Sequence, residues 1–358
     1  MAYTTIDDPS AHFQTLLYTG NGTDGRALTF DGNSDMQPDL LWVKNRDNTG
    51  PYSGMLFDST RGVNQGLFST DTNAQGNTAY GYLGAFQSDG FTVTSGSSGD
   101  ERVNNNTDKY VMYGWKANGA STSTNDDGNI DTTVQVNTTA GFSIARWEGA
   151  NSTATLGHGL GAVPELIISK CIDTTQEWGV YHKDVGNDDY LHLNENAVEQ
   201  DNNAYWNDTT PTSSVWSVGN SGPTNDNGDT MIAYVFTPIQ GYSKFGKYIG
   251  TGNADGIFVY LGFKPAFLMI KSITKASQSW HILTGKIAPV TNTNPLVNAH
   301  DADTSIAERG TFTTDFLSNG FKIRHTSGGT GTSGETYVYM AFAEQPFVSS
   351  KGVPCTAR

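Results

Sequence analysis

Basic residues, and charged residues in general, are scarce in this sequence. Lysine and arginine number 21 against 36 aspartates and glutamates, which gives a formal net charge of −15, and charged residues make up 16% of the chain. Binding to nucleic acid requires a basic face that neutralises phosphates, and attraction to an anionic membrane surface requires the same. We therefore expect neither a nucleic-acid partner nor a membrane-surface partner.

Cysteines are few and long hydrophobic runs are missing. The two cysteines, Cys171 and Cys355, are too few for a disulfide framework or a metal knuckle. No apolar run approaches the roughly 20 residues of a membrane-spanning helix. Residues 1–10 lack the basic and apolar regions of a signal peptide. We expect a chain that is synthesised in a cytoplasm and does not insert into a membrane.

The sequence is rich in glycine, polar turn formers and β-branched or aromatic residues. Glycine numbers 41 and aromatic residues make up 11% of the chain, a mixture that favours strands and disfavours long helices. Asp-Gly and Asn-Gly pairs, which begin at Asp89 and Asn227 among other places, supply the positive φ that tight hairpins need. The sequence predicts an all-β protein of antiparallel β-sandwiches with jelly-roll or lectin-like connections.

One strand signature occurs three times in the chain. Each copy begins with proline, continues with an apolar run and has lysine six positions after the proline. The copies lie at residues 38–44 (PDLLWVK), 164–170 (PELIISK) and 265–271 (PAFLMIK). A closing strand that ends in an aromatic residue follows each copy, at residues 110–115 (YVMYGW), 231–236 (MIAYVF) and 337–342 (YVYMAF).

Two further features accompany the signature. A glycine-rich turn that holds an aromatic residue precedes each copy, with Gly20, Gly149 and Gly250 as its first glycines. A turn of the form Phe-x-Ser-Asp/Asn-Gly-Phe precedes the closing strand in the first and third copies, whereas the second has VWSVG at residues 215–219. The copies are spaced by about 100 residues or more, beyond the ~20–50 of a solenoid repeat, so we predict three tandem domains.

The domain boundaries follow from these repeats and from one polar stretch of Ser, Thr, Asn, Asp and Gly. We predict an N-terminal segment (1–17), a first β-sandwich (18–118), a polar linker (119–138), a second sandwich (139–240), a third sandwich (241–347) and a C-terminal tail (348–358).

Acidic clusters are the candidate metal sites. Calcium prefers several oxygen ligands that converge from one loop, and the candidate ligands are Asp126, Asp127, Asp131, Asp226 and Asp229. None of the clusters has the spacing of an EF-hand. Since Asn and Asp are also ordinary turn residues, the alternative is solvated turns without Ca²⁺, and we expect no other cofactor.

Loop aromatics are the candidate ligand-binding residues. Tyr80, Tyr82, Tyr205 and Trp206 stand among polar turn residues, where an aromatic face can stack on a sugar whose hydroxyls bond to Asn and Asp. The alternative is ordinary packing in the core. The sequence has no nucleophile elbow, and its paired carboxylates are sequence neighbours that would point to opposite faces of a strand. We therefore expect no enzymatic activity.

Several motifs together resemble a known protein family. They are YTGNG at residues 18–22, PDLLWVKNRD at 38–47, DSTRG at 58–62, SDGF at 88–91 and YGWKA at 113–117, with AYTTIDDPS at 2–10 and AEQPFVSSK and PCTAR near the C-terminus. This combination resembles repeat-domain virion and tail proteins of marine tailed bacteriophages, including cyanophage-like podoviruses. The resemblance covers nearly the whole chain, and the second unit departs from it most.

The resemblance implies a structural protein on the exterior of a phage particle, made in the host cytoplasm. The expected placement is at the tail, as a fibre, adhesin or adaptor; the alternatives are a capsid decoration or knob protein and, in another class, a glycan-degrading depolymerase. The implied partners are other virion proteins, a host-surface glycan and further copies of the chain, with a trimer expected by analogy with other phage appendages.

The two ends of the chain are the candidate assembly contacts. Residues 2–17 and the tail from residue 348 onward, including Val348, Ser349 and Arg358, are expected to dock on a neighbouring virion protein. The alternative is that both ends are frayed.

Overall fold

A computed structural model describes residues 2–47, 54–76, 78–98, 102–287, 299–301 and 314–354. In these ranges the regular structure is almost entirely β-strand, and neighbouring strands of each sheet are antiparallel. The predicted all-β sandwich fold is confirmed. Within the same ranges the helical elements are single turns: two 3₁₀ turns (Pro9–Ala11 and Thr78–Tyr80), α1 (Asn203–Trp206), α2 (Gly222–Asn225) and α3 (Gly328–Gly331).

The strands fall into three consecutive units. The first contains β1 (Phe13–Thr19), β2 (Arg26–Leu28), β3 (Leu40–Asn45), β4 (Met55–Asp58), β5 (Leu67–Phe68), β6 (Tyr82–Gln87), β7 (Gly90–Thr94) and β8 (Lys109–Trp115). The second contains β9 (Ser123–Asn125), β10 (Thr132–Asn137), β11 (Phe142–Glu148), β12 (Ala154–Gly157), β13 (Leu166–Cys171), β14 (Trp178–His182), β15 (Asp189–His192), β16 (Gln200–Asp201), β17 (Val215–Val218) and β18 (Thr230–Phe236). The third contains β19 (Ser243–Ile249), β20 (Phe258–Tyr260), β21 (Phe263–Ser272), β22 (His281–Thr284), β23 (Ala299–Asp301), β24 (Thr314–Leu317), β25 (Gly320–Ile323) and β26 (Thr336–Pro346).

The larger sheet of every unit repeats one strand order. Its order is β1-β8-β3-β4-β5 in the first unit, β11-β18-β13-β14-β15 in the second and β19-β26-β21-β22-β23 in the third. The signature strand therefore pairs with the closing strand each time. The register is also the same, because the second residue after the signature proline lies opposite the last aromatic of the closing strand: Leu40–Trp115, Leu166–Phe236 and Phe267–Phe342.

A smaller sheet faces the larger one in each unit, with strand orders β2-β7-β6, β12-β17 and β20-β25-β24. The predicted Phe-x-Ser-Asp/Asn-Gly-Phe turns are the hairpins β6–β7 and β24–β25, where Gln87 pairs with Gly90 and Leu317 with Gly320. An apolar layer fills the space between the two sheets, as Leu41, Val43 and Phe91 do in the first unit.

The glycine-rich turns hold each first strand against the closing strand. The N–H groups of Gly20, Gly149 and Gly250 each donate to the carbonyl just before that strand, at 2.7, 2.9 and 2.9 Å. A Cβ at these positions would lie 1.9, 1.9 and 2.2 Å from a backbone oxygen. Only glycine fits this close approach, which explains why the sequence repeats it.

The three closing strands meet at one point. Their final aromatics, Trp115, Phe236 and Phe342, each 1% exposed, contact one another edge-to-face, with ring centroids 6.5 Å apart for Trp115–Phe236, 5.7 Å for Trp115–Phe342 and 5.8 Å for Phe236–Phe342. Equivalent residues in mutual contact place the units around an approximate three-fold axis. We call these three side chains the aromatic triad.

A buried ionic network joins the first unit to the second. Arg61 Nε and Asp58 Oδ2 lie 2.5 Å apart, with both side chains at most 1% exposed. The Tyr234 hydroxyl of β18 donates to the same Asp58 carboxylate at 2.8 Å. Burial and the Asp58 charge raise the pKa of Tyr234, so the phenol stays protonated and keeps donating this hydrogen bond.

A buried tryptophan makes the same kind of contact at two interfaces between units. Trp178 Nε1 of the second unit donates to the Phe68 carbonyl of the first at 2.9 Å, and Trp280 Nε1 of the third unit donates to the His192 carbonyl of the second at 2.8 Å. Both tryptophans occupy the same register beside the signature strand. The units therefore dock on one another in one repeated geometry.

The predicted polar linker is wrong where its residues form two strands. Residues within 119–138 form β9 and β10, and β10 pairs with β11 along Thr133–Arg146 to Asn137–Phe142. This hairpin adds two strands to the edge of the second unit's larger sheet. Thr, Ser and Asn can occupy such an edge because one face of each strand stays in solvent, so composition alone suggested a loop.

The N-terminal boundary also differs from the prediction. The predicted segment 1–17 includes the start of β1, which pairs with β8 from Phe13 to Thr19. Residues before β1 are held by the third unit and by the connection that leads into it, since Tyr3 donates to the Gly262 carbonyl at 2.9 Å and Thr4 to the carbonyl of Gln240, before β19, at 2.8 Å. The beginning of the chain thus connects the first unit to the third.

The interface of the second and third units contains a buried histidine. His182 Nε2 lies 3.2 Å from the Tyr339 carbonyl, and its Nδ1 accepts the Asp184 N–H at 3.1 Å. Burial lowers the pKa of His182 to about 4. Protonation would place a second N–H against the Asp184 N–H and a charge in the interior.

We predict that acid destabilises the protein through His182. The unfolded chain takes up this proton near pH 6.5 and the folded state only near pH 4, so stability falls as the pH falls through this window. The loss amounts to roughly 3 kcal/mol. Urea unfolding of wild type and His182→Gln between pH 7 and pH 4 measures it. The variant should lose correspondingly less stability, and parallel pH profiles would contradict the assignment.

Candidate functional site

Two of the loop aromatics expected to bind a sugar are core residues. Tyr205 is 5% exposed and Trp206 2% exposed. The Tyr205 ring stacks on Tyr190 with centroids 3.6 Å apart, and Trp206 meets Tyr181 edge-to-face at 5.9 Å. Neither ring has a face open to a ligand, so the prediction that they bind a sugar is wrong.

The polar neighbours of these two residues have a structural role. Asn202 caps α1, because its side-chain oxygen accepts the Ala204 N–H at 3.0 Å. Asn207 ends the helix in the left-handed conformation at φ 51°, which asparagine tolerates better than most residues. The Asn-rich surroundings that suggested a surface loop are the caps of a short buried helix.

Tyr80 and Tyr82 are both half-buried beside the core of the first unit. The guanidinium of Arg102 lies 4.5 Å from the ring centroids of both Phe68 and Tyr80, and Phe68 meets Tyr80 edge-to-face at 5.7 Å. Tyr80 is thus part of a packed cation–π arrangement. A ligand role for Tyr80 and Tyr82 stays a prediction.

The first acidic cluster lies at the surface. Asp126, Asp127 and Asp131 are exposed, and Asp127 accepts a hydrogen bond from Asn125 at 3.0 Å. Within the described ranges, groups of three metal-ligand side chains occur at Cys171, Asp226 and Asp229 and at Glu177, His192 and Glu195, and neither includes these aspartates. Calcium binding at this cluster stays a prediction.

Asp226 and Asp229 converge on Cys171 rather than on their own loop. Asp229 accepts the Thr174 hydroxyl at 2.7 Å, and Asp226 accepts the Gln176 amide at 2.7 Å. Burial raises the pKa of the Cys171 thiol. The carboxylates already accept hydrogen bonds and the thiol is neutral, so this arrangement fixes the turn after β13.

The second group is a hydrogen-bonded chain at the edge of the second unit. His192 Nδ1 lies 2.9 Å from Glu195 Oε2, its Nε2 lies 2.7 Å from the Tyr205 hydroxyl, and Asn194 donates to Glu177. One imidazole tautomer satisfies the histidine on both sides: Nδ1–H donates to Glu195 and Nε2 accepts from Tyr205. Each of the three residues that could hold a metal here already has a hydrogen-bond partner within the protein.

The signature lysine, which sequence reasoning did not single out as a functional group, is buried in every unit. Lys170 Nζ donates to the carbonyls of Cys171 and Gln176 at 2.8 Å and to that of Thr72 in the first unit at 3.1 Å. Burial lowers its pKa to about 8. The lysine therefore anchors the loop after its strand and, in the second unit, a neighbouring loop.

The predicted assembly residues Val348 and Ser349 lie in a closed turn. Val348 forms a β-bridge with Pro354, and Ser349 donates its N–H to the Val353 carbonyl at 2.8 Å. Ser350 donates its N–H to Asp7 at 2.6 Å, so the two ends of the chain contact each other. Arg358 lies outside the described residues, and docking of this region on another protein stays a prediction.

A polar cleft of about 520 Å³ separates the first and third units. The carboxylates in it are Asp8, Asp31 and Glu344. Lys286 pairs with Asp31, and Lys264 pairs with Glu344 at 2.6 Å. Burial opposes ionisation of Asp8, but the hydrogen bonds from Ser10 and Ser34 outweigh it and lower its pKa. In this cleft Asp8 therefore favours its ionised form, and Asp31 and Glu344 each lie in an ion pair.

One outward sheet face is apolar, and sequence reasoning missed it. Phe258, Tyr260 and Leu317 are 41%, 47% and 37% exposed. They lie on the outer side of the sheet β20-β25-β24, where Tyr260 and Leu317 are both opposite Gly320 and Phe258 is opposite Lys322. We call these three side chains the aromatic platform. The alternation Phe258-Val259-Tyr260 around a buried valine was the available signal.

The repeat provides an internal comparison for the platform. The equivalent positions in the first unit, read from the matching hairpins, are Ala27, Thr29 and Gln87. In the second unit the first strand of the smaller sheet is β12, where Ile130 bridges Leu156 and the Asn129 side chain accepts the Thr155 N–H at 2.6 Å. The sandwich folds without aromatics on this face, so their presence in the third unit is not a requirement of the fold.

We predict that Trp206 contributes to stability and not to ligand binding. Truncation of a buried tryptophan leaves a cavity, so Trp206→Ala should lower the free energy of unfolding by about 3–5 kcal/mol. Ile249→Ala, at a residue that is 57% exposed, is the control and should change it by less than about 0.5 kcal/mol. Urea denaturation measures both. A stable Trp206→Ala protein would contradict the core assignment.

Comparison with known proteins agrees with the extent of the fold. Within the described residues, no helix is long and apolar enough to cross a membrane. No curated protein and no solved structure matches the chain. One family model, described as a domain of unknown function (DUF7483), matches residues 8–346 and so spans all three units as one module. The chain belongs to the DUF7483 family.

Proposed function

We propose that the protein is a structural component of the exterior of a tailed-phage particle, attached at the tail as an adhesin or adaptor. The resemblance of the motifs at 18–22, 38–47 and 113–117 supports this placement. The structural observation that carries the proposal is the aromatic triad, through which one chain packs three sandwiches into a single compact body. In such a body the smaller sheets lie on the outside, where an appendage makes its contacts.

A decoration or knob protein on the capsid is the second candidate. The observation that favours it is the approximate three-fold arrangement within one chain, which matches the local symmetry of an icosahedral lattice. The same arrangement suits a three-fold tail appendage. Placement on the particle, rather than the fold, separates the two candidates.

The depolymerase alternative has less support. The cleft between the first and third units gathers Asp8, Asp31 and Glu344, and a glycosidase needs one carboxyl that stays protonated to act as general acid. The lowered pKa of Asp8 disfavours that role for Asp8, and Asp31 and Glu344 are each paired with a lysine. We propose a protein without enzymatic activity.

The proposed partners are other virion proteins and a glycan of the host surface. A homotrimer also stays a prediction. One chain already has an approximate three-fold arrangement of its units. A trimer would therefore join three chains through their outer surfaces.

We predict that the protein copurifies with phage particles. Mass spectrometry of particles purified on a density gradient, followed by gold labelling with an antibody against the chain, tests this. Label at the tail is the expected result. Label spread over the capsid would favour the decoration protein instead, and absence of the chain from purified particles would contradict both placements.

A further inference from the structure

The platform differs from an ordinary exposed patch because one of its two aromatic rings, that of Tyr260, is held in place. The Tyr260 hydroxyl lies 3.0 Å from that of Tyr3, whose own proton goes to the Gly262 carbonyl. The Lys244 ammonium lies 5.5 Å from the centre of the Tyr260 ring and donates to the Tyr260 carbonyl at 2.7 Å. A ring fixed before binding loses little conformational freedom when a ligand stacks on it.

The platform extends across all three strands of this sheet. Tyr260, Gly320 and Leu317 stand in one row, so the outer side chains are about 10 Å apart, two strand spacings. Gly320 has no side chain between them, and a Cβ there would lie 2.0 Å from the Val259 oxygen and 3.1 Å from the Phe258 ring. The Phe258 ring therefore reaches towards Gly320, and the platform presents two aromatic rings and a leucine to a ring-shaped ligand.

The charged groups beside the platform are of both signs, since Lys244, Lys322 and Arg324 lie near Asp255 and Asp315. Lys322 pairs with Asp255 at 2.6 Å, while Arg324 pairs with Asp255 at 2.7 Å and with Asp315 at 2.6 Å. Lys322 and Asp315 stand in the same row as Phe258. The row therefore offers hydrogen-bond donors and acceptors together, and the chain as a whole carries a net charge of −15, which repels an anionic ligand.

We propose that the aromatic platform is a binding site for neutral carbohydrate. A pyranose ring stacks on Tyr260 and Phe258 through its C–H face, and its hydroxyls donate to Asp255, whose side chain is 74% exposed, and accept from Lys322. A neutral sugar carries both donors and acceptors, as this mixed rim requires, and it meets no repulsion from the acidic chain. The proposal rests on the proposed function for its setting, contact with the host surface.

The repeat supplies a matched variant. The triple variant Phe258→Ala, Tyr260→Thr and Leu317→Gln gives the third unit the side chains that the first unit has at these positions, Ala27, Thr29 and Gln87. The first unit folds with those side chains. Ile249→Ala removes an apolar side chain that is 57% exposed and outside the platform, and it serves as the control.

The test is affinity electrophoresis of the intact protein in gels containing neutral glucan, galactan or mannan, with acidic polygalacturonate as the counterpart. Wild type and Ile249→Ala should be retarded by at least one neutral polysaccharide, and the triple variant should bind it at least about tenfold more weakly. Equal melting temperatures would confirm that the variant is folded.

Three results would overturn the proposal: no retardation by any neutral polysaccharide, retardation by polygalacturonate alone, or equal retardation of wild type and the triple variant. Wild-type self-association in sedimentation that the triple variant abolishes, without sugar binding, would make the platform a contact between two copies. Sugar binding by a chain that is absent from particles would refute the virion placement and leave this site standing.

Discussion

The mutual packing of Trp115, Phe236 and Phe342 is the constraint on which the rest of the molecule depends. Because each larger sheet buries one face on its own smaller sheet and the other at this shared centre, its inner strands are apolar on both sides. β3 and β13 are buried at every position. Even the signature lysine must then find carbonyl partners inside the protein, as Lys170 does.

The repeated frame allows each interface to use different chemistry. On the strand that flanks the signature strand on the side away from the closing strand, the residue paired with Leu40, Leu166 or Phe267 is Asp58, His182 or Thr284, respectively. Asp58 holds an ionic network with the second unit, and His182 makes a neutral hydrogen bond to the third. Burial of His182 therefore makes the interface between the second and third units sensitive to acid. The outer faces vary in the same way, with an aromatic platform on the third unit alone among the described outer faces.

The features that belong to the repeat could be predicted from the sequence. The signature strands, the closing strands, the glycine turns and both hairpins lie where periodicity and turn chemistry predicted them. Local composition misled where tertiary contacts decide. β9 and β10 are polar because they form an edge, and Trp206 looked exposed because its helix is capped by asparagines. The shared centre was beyond sequence reasoning, since tandem domains need not pack together.

Differential scanning calorimetry of wild type and Phe342→Ala tests the central claim that one shared core makes the three sandwiches a single cooperative unit. The account predicts one transition whose calorimetric and van 't Hoff enthalpies agree. In the variant the whole transition should move to lower temperature, with a loss of about 3–5 kcal/mol. Separate transitions for the units, with only one displaced by Phe342→Ala, would contradict it.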